Sequence, residues 1–220
     1  MPATEHSASA QRDEQLFSAI ASDLRNKGYS INSLALPHQL ADALLQQVLK
    51  TPSGQFAPAG IGRANGQTVD HTVRKDNIRW IDGDSAACRQ WLQWTGELQQ
   101  CLNQQLFLGL FSFESHFAHY RAGDFYRRHL DAFKGEGSRI LSMVAYLNPD
   151  WSEEDGGELV LYPEKGKQVE FRVTPAHGTF VLFLSEDFEH EVLPARRDRF
   201  SIAGWFRRNS SSAMRADPPV

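Results

Sequence analysis

In Tyr126-Arg127-Arg128-His129-Leu130-Asp131 an imidazole and a carboxylate stand two residues apart, at His129 and Asp131. On an extended strand that spacing points both side chains to one face, where they can share a metal ion. A third ligand is available 59 residues further on at His190, in Phe188-Glu189-His190-Glu191-Val192, just after the apolar run Phe180-Val181-Leu182-Phe183-Leu184. Two imidazoles and one carboxylate on one side of a metal leave three coordination positions open, which suits ferrous iron in non-haem oxygen chemistry. Nine residues past His190 comes Arg199, which alternation places on the same strand face as Ser201. A guanidinium held inside a barrel needs an anion, and a carboxylate can meet it bidentately; the far carboxylate of 2-oxoglutarate fits that description.

An isolated His-x-Asp recurs by chance, and with eight histidines in the chain some downstream histidine is expected. The ordered set is more specific: His-x-Asp, a gap of barrel length, then histidine and an arginine nine residues later. The remaining histidines act as controls. His116 and His119 are three apart, but Phe111, Phe113, Phe117 and Tyr120 around them favour a strand and a structural or supporting role. His6, His38, His71 and His177 read as surface or turn residues.

These ligands need a scaffold that is helical first and stranded afterwards. Residues 1–12 read as a disordered start. Over 13–26 the apolar positions Leu16, Phe17, Ile20, Ala21 and Leu24 recur at helical spacing, followed by Lys27-Gly28 as a basic last turn with a closing glycine. A second helix is expected over 37–50, opened by Pro37. Residues 54–74, rich in Gly, Ala, Pro and Asn, show no period and read as a long functional loop, a candidate lid. A third helix, capped by Asp84 or Ser85, runs to about residue 107. From Gly109 on, short aromatic and β-branched runs separated by Gly-rich turns predict seven or eight strands.

This order predicts an α+β chain, with helices packed on one face of an antiparallel sandwich or jelly roll. A parallel doubly wound sheet is disfavoured because no helices alternate with the strands. The 220 residues make one domain the default: 13–208, with helical support over 13–107 and a β-helix core over 109–208, then a flexible tail at 209–220. A formal net charge of -4 gives no overall basic field for nucleic acid or anionic membrane. No apolar run reaches the length of about 20 residues needed to span a bilayer, and the start of the chain resembles no secretory signal. Cys88 and Cys101 fall in one expected helix, roughly 20 Å apart, beyond a disulfide's reach. The expectation is a cytoplasmic monomer.

Several segments together resemble the prolyl 4-hydroxylase domain family of the oxygen-sensing type, over residues 74–208. They are Arg74-Lys75-Asp76-Asn77-Ile78-Arg79-Trp80-Ile81, Tyr126 to Asp131, Val144-Ala145-Tyr146-Leu147-Asn148-Pro149-Asp150-Trp151, Gly156-Gly157-Glu158-Leu159, and His190-Glu191-Val192 through Arg199 to Trp205. The resemblance implies a double-stranded β-helix with iron(II) on His129, Asp131 and His190. It implies 2-oxoglutarate bound by Arg199, Tyr146, Tyr120 and Leu159, with O2 as second cosubstrate and ascorbate as an accessory. It also implies a target proline received by Trp205, Tyr126 and Arg139, with Arg74 and Asp76 bordering a closing loop. His116 stands where eukaryotic relatives tend to carry an apolar residue, and Ser201 adds a hydroxyl beside Arg199. The compact form suggests a bacterial branch, for which elongation factor Tu is the candidate protein substrate. Three rivals stay open: the same chemistry on a free amino acid or other small molecule, a nucleic-acid demethylase, and a non-catalytic metal-binding β-barrel acting as sensor or scaffold.

Overall fold

The computed structural model describes residues 3–60, 69–132, 138–163 and 171–209. Helix α1 (Ala3–Lys27) begins ten residues before the expected start at residue 13. The stretch expected to be disordered is thus helical from Ala3 on; Ala3, Ala8 and Ala10 are strong helix formers that need no apolar face to be compatible with a helix. Its buried face is Phe17, Ile20, Ala21 and Leu24, as the spacing predicts. Gly28, at φ +79°, closes the helix and donates its N–H to the Leu24 carbonyl.

Helix α2 (His38–Lys50) follows Pro37 and buries Leu40, Ala41, Leu44 and Val48. Helix α3 (Ala86–Leu106) is capped by the Ser85 hydroxyl, which accepts from the Cys88 N–H, and it buries Trp91, Trp94, Leu98 and Leu102. Both cysteines are free and lie on α3.

Three short strands come from the part of the chain expected to be helices and loops: β1 (Tyr29–Asn32), β2 (Ala57–Pro58) and β3 (Asn77–Trp80). Eight more follow: β4 (Leu110–Tyr120), β5 (Tyr126–His129), β6 (Arg139–Tyr146), β7 (Leu159–Tyr162), β8 (Phe171–Val173), β9 (Phe180–Leu184), β10 (Glu189–Val192) and β11 (Arg199–Arg208). They form a seven-stranded sheet in the order β1-β9-β6-β11-β4-β3-β2 and a four-stranded sheet in the order β5-β10-β7-β8. Every pairing between these strands is antiparallel, so the jelly-roll expectation holds. The division at residue 107 is less clean than expected, because β1, β2 and β3 extend the larger sheet at both edges. The candidate lid at 54–74 contains β2, paired with β3. Residues 61–68 of that segment, and 210–220 of the expected tail, lie outside the described residues.

Alternation along the strands divides the core in two. Phe117, Phe180, Leu182 and Phe206 point outward against the helices, where Phe17, Trp91 and Trp94 form edge-on and stacked aromatic contacts. Ala118, Tyr120, Val181 and Phe183, on the opposite face of the same strands, meet Leu159, Leu161 and Val192 of the smaller sheet. The larger sheet is covered on one side by helices, leaving its other side to form a cavity with the smaller sheet. No helix among the described residues is long and apolar enough to cross a membrane.

Candidate active site

The space between the two sheets is a cavity of about 690 Å³. Ten of the twelve residues singled out from the sequence line it: His129, Asp131, His190, Arg199, Tyr120, Leu159, Trp205, Tyr126, Arg139 and Arg74. Asp76 and Tyr146 are buried beside residues that do, Asp76 paired with Arg74 and Tyr146 in contact with Arg199.

Strands β5 and β10 pair so that His129 and His190 face each other across the ladder. Asp131 lies two residues beyond His129, just past the end of β5, and its carboxylate reaches both rings. Oδ1 is 3.6 Å from His129 Nε2, and Oδ2 is 3.5 Å from His190 Nε2. One potential ligand atom from each of the three residues lies within 4.8 Å of the other two. Each imidazole is oriented from behind, with His129 Nδ1 2.7 Å from the Arg127 carbonyl oxygen and His190 Nδ1 3.2 Å from that of Phe188. A carbonyl only accepts, so Nδ1 carries the proton and the Nε2 lone pair is left for a metal.

Electrostatics favour the same state. Burial pushes the His190 imidazole down to about 4, against the pull of Asp131. Burial alone would raise the Asp131 carboxyl, but His190, His129 and Arg139 outweigh it and hold it well below the usual carboxylate range. Near neutral pH the site therefore holds a neutral His190 and an ionised Asp131, the forms in which these side chains bind metals.

At the inner end, Arg199 is 1% exposed. Its Nε donates to the Gly157 carbonyl at 2.9 Å and one terminal nitrogen donates to Ser201 Oγ at 3.3 Å. The other terminal nitrogen is buried with no hydrogen-bond partner, and so is the Tyr146 hydroxyl. The guanidinium lies over the Tyr120 and Tyr146 rings, at 4.9 and 5.0 Å. Burial pushes the Tyr146 hydroxyl up to about 12, opposed by Arg199, so it stays a neutral donor. A buried cation with a spare N–H beside a spare O–H is costly unless an anion completes the set. A carboxylate does so, and the residues thus fit a 2-oxo acid with a second carboxyl group as well as a metal.

At the outer end, Tyr126 stacks on the His129 ring, with centroids 3.6 Å apart. Arg74 lies over Tyr126 at 4.3 Å and is held by Asp76 through two hydrogen bonds of 2.8 and 2.6 Å. Arg139 lies 3.6 Å over Trp205 and donates to Glu114. Sequence reasoning gave His116 a structural or supporting role. It is buried between Trp80 and Trp205, lines the cavity, and places Nδ1 3.2 Å from the Phe117 carbonyl. Ser142, which donates to Asp131 at 2.7 Å, was not singled out; an isolated serine in an apolar strand carries no signal of its own. His38 and His177, expected at the surface or in turns, both contact Asp42.

The family model of the 2OG-Fe(II) oxygenase superfamily matches residues 115–207. The crystal structure of a Pseudomonas putida prolyl-4-hydroxylase is 42% identical and superposes with a TM-score of 0.80, covering 88% of this chain and 100% of that one. The chain belongs to the prolyl hydroxylase family of the 2OG-Fe(II) oxygenase superfamily. A second family member, the Trichoplax adhaerens prolyl hydroxylase solved with a hypoxia inducible factor peptide fragment, is 29% identical with a TM-score of 0.79, over 90% of this chain and 92% of that one. Human Egl nine homolog 1 is 30% identical over 146 residues, 61% of this chain and 33% of the human protein. The chain spans from 23% to 41% of the length of curated relatives in this family. Family members use Fe(II), 2-oxoglutarate and O2, in agreement with the donor set described above.

Proposed function

We propose that this chain is a 2-oxoglutarate- and iron(II)-dependent prolyl 4-hydroxylase acting on a proline in a protein, with elongation factor Tu as the candidate substrate. The observation that carries the reading is the pairing of a His-Asp-His cluster with a buried arginine and tyrosine that each retain an unused hydrogen-bond donor.

His129, Asp131 and His190 would hold the metal. When bound, iron(II) and 2-oxoglutarate supply the oxidising power: one oxygen atom of O2 ends in succinate, released with carbon dioxide, and the other ends on the substrate carbon. Arg199 binds the distal carboxylate of the cosubstrate, with the Tyr146 hydroxyl donating to the same group. Tyr120 and Leu159, which line the cavity, would pack against the cosubstrate and exclude water from it. Tyr126 and Trp205 offer aromatic walls to a prolyl ring, and Arg139 fixes the Trp205 plane from behind. Arg74, anchored by Asp76, keeps Tyr126 flat on His129. Binding and orientation are the protein's contribution to the rate.

The Trichoplax relative was solved with a peptide fragment of its partner, which favours a protein substrate over a free amino acid here. We further propose a cytoplasmic monomer, with ascorbate keeping the iron reduced. Incubation of the purified chain with ferrous iron, 2-oxoglutarate, O2 and elongation factor Tu tests the reading. Succinate release with a one-oxygen mass gain on a single prolyl residue is expected. Succinate without that mass gain would move the assignment to another substrate, and neither signal would leave the non-catalytic barrel.

A further inference from the structure

Asp131 is held by more than its own strand. It follows β5 in the chain, and its Oδ2 accepts a hydrogen bond from the Ser142 hydroxyl at 2.7 Å. Ser142 lies on β6, in the middle of the larger sheet, paired to Trp205 on one side and Phe183 on the other. Its Oγ is also 2.8 Å from the hydroxyl of Ser185. Ser142 is 2% and Ser185 0% exposed. An ionised carboxylate only accepts and each hydroxyl has one hydrogen, so the direction is fixed: Ser185 donates to Ser142, and Ser142 donates to Asp131. Ser185 is anchored in turn by its backbone N–H, which donates to the Ile140 carbonyl at 3.0 Å.

We propose that Ser142 and Ser185 form a positioning relay for the metal centre, presenting the Asp131 carboxylate in its ligating orientation. This rests on the metal-site reading given above. The two imidazoles come from the smaller sheet, whereas the relay comes from the larger one, so the carboxylate is braced across the cavity. With Oδ2 held by a charge-assisted bond, the carboxylate loses its rotation before a metal arrives, and binding does not have to impose that order. Ser142 touches neither metal nor substrate in this role; it acts through Asp131.

The test is titration of the metal-free protein with Co(II), read by the visible absorption of the bound ion, which reports ligand geometry independently of turnover. Ser142→Ala is expected to weaken Co(II) binding about 10- to 100-fold and to alter the band shape. Ser142→Thr, which keeps the hydroxyl, should restore both. Ser185→Ala leaves the first bond in place and should weaken binding only about twofold, in line with the modest strengthening one bond lends its neighbour. A cooperative thermal unfolding transition in the metal-free variants checks that they fold. Wild-type affinity and spectrum in Ser142→Ala would overturn the relay while leaving the metal site standing. Unchanged Co(II) binding in His190→Ala would overturn the metal site itself, and the relay with it.

Discussion

Arg199 shows how much one residue's surroundings say about its purpose. Its Nε is committed to the Gly157 carbonyl, one terminal nitrogen to Ser201, and the last nitrogen has no protein partner. Evolution towards stability alone would fill that gap with an apolar side chain. His116 raises a similar question with a different answer. Burial pushes it down to about 4, with Asp76 opposing and Arg74 and Arg139 reinforcing the shift. Between about pH 6.5 and 4 the unfolded chain takes up a proton that folded His116 refuses, so stability is lost as pH falls through that window and is fully present above it. Replacing His116 with Phe should remove up to about 3 kcal/mol of that pH dependence. Urea unfolding of both proteins at pH 7 and pH 4.5 measures it, and parallel losses in the two would refute the buried neutral histidine. At this scale the sequence is most readable where chemistry restricts residue choice: His129, Asp131, His190 and Arg199 stand out by type and spacing. Ser142, Ser185 and the importance of His116 do not, because serine and histidine serve many ends and only their neighbours in space assign one.

At the scale of elements, the turn before β7 matters most for the inner end of the cavity. Gly157 has φ +72°, and a Cβ there would lie 2.8 Å from Ala195 Cβ and 3.2 Å from Arg199 Cδ. Its carbonyl is also the acceptor for Arg199 Nε. Gly157→Ala should destabilise the protein by about 1–3 kcal/mol, the range for a methyl forced into a packed site, and should weaken 2-oxoglutarate binding as Arg199 is displaced. Denaturant midpoints and isothermal titration with a metal-loaded sample check both, and an unchanged midpoint would contradict the crowding. The Gly156-Gly157 signal in the sequence was strong enough to mark a turn. The short strands β1, β2 and β3 were not legible in the same way. They have two to four residues each, too few for period-two alternation to register, and long-range pairing with β9 and β4 makes them strands. Helix α1 was underestimated for the complementary reason, since its first turns lack the apolar stripe by which a helix is recognised.

For the molecule as a whole, the ligands join parts of the chain that are far apart in sequence. β5 is an edge strand of the smaller sheet, with β10 its one sheet neighbour. It is also tied to the segment before β3 by the Arg74–Tyr126 bridge and by the Lys75 N–H donating to the Phe125 carbonyl. A metal on Asp131 and His190 closes a 59-residue loop and joins the two strands where pairing alone is short. Metal should therefore slow amide exchange in β5 and β10 more than in β4 or β11, which are long and paired on both sides. Hydrogen–deuterium exchange with and without Mn(II) reads this directly; uniform protection, or none, would show that the ion does not act as a clasp. The jelly roll was visible in the sequence because layer architecture follows from which pattern comes where, although β1, β2 and β3 interrupt the expected order of helices before strands.

Tyr126 lies face to face on His129 at the mouth of the metal site. Arg74 presses on that tyrosine from above, and the tyrosine rests on an imidazole placed to hold the ion. A target protein settling at the rim would lean on Tyr126, one ring removed from the imidazole that would hold the iron. The colour of the centre should then register the guest's arrival before any oxygen has been consumed.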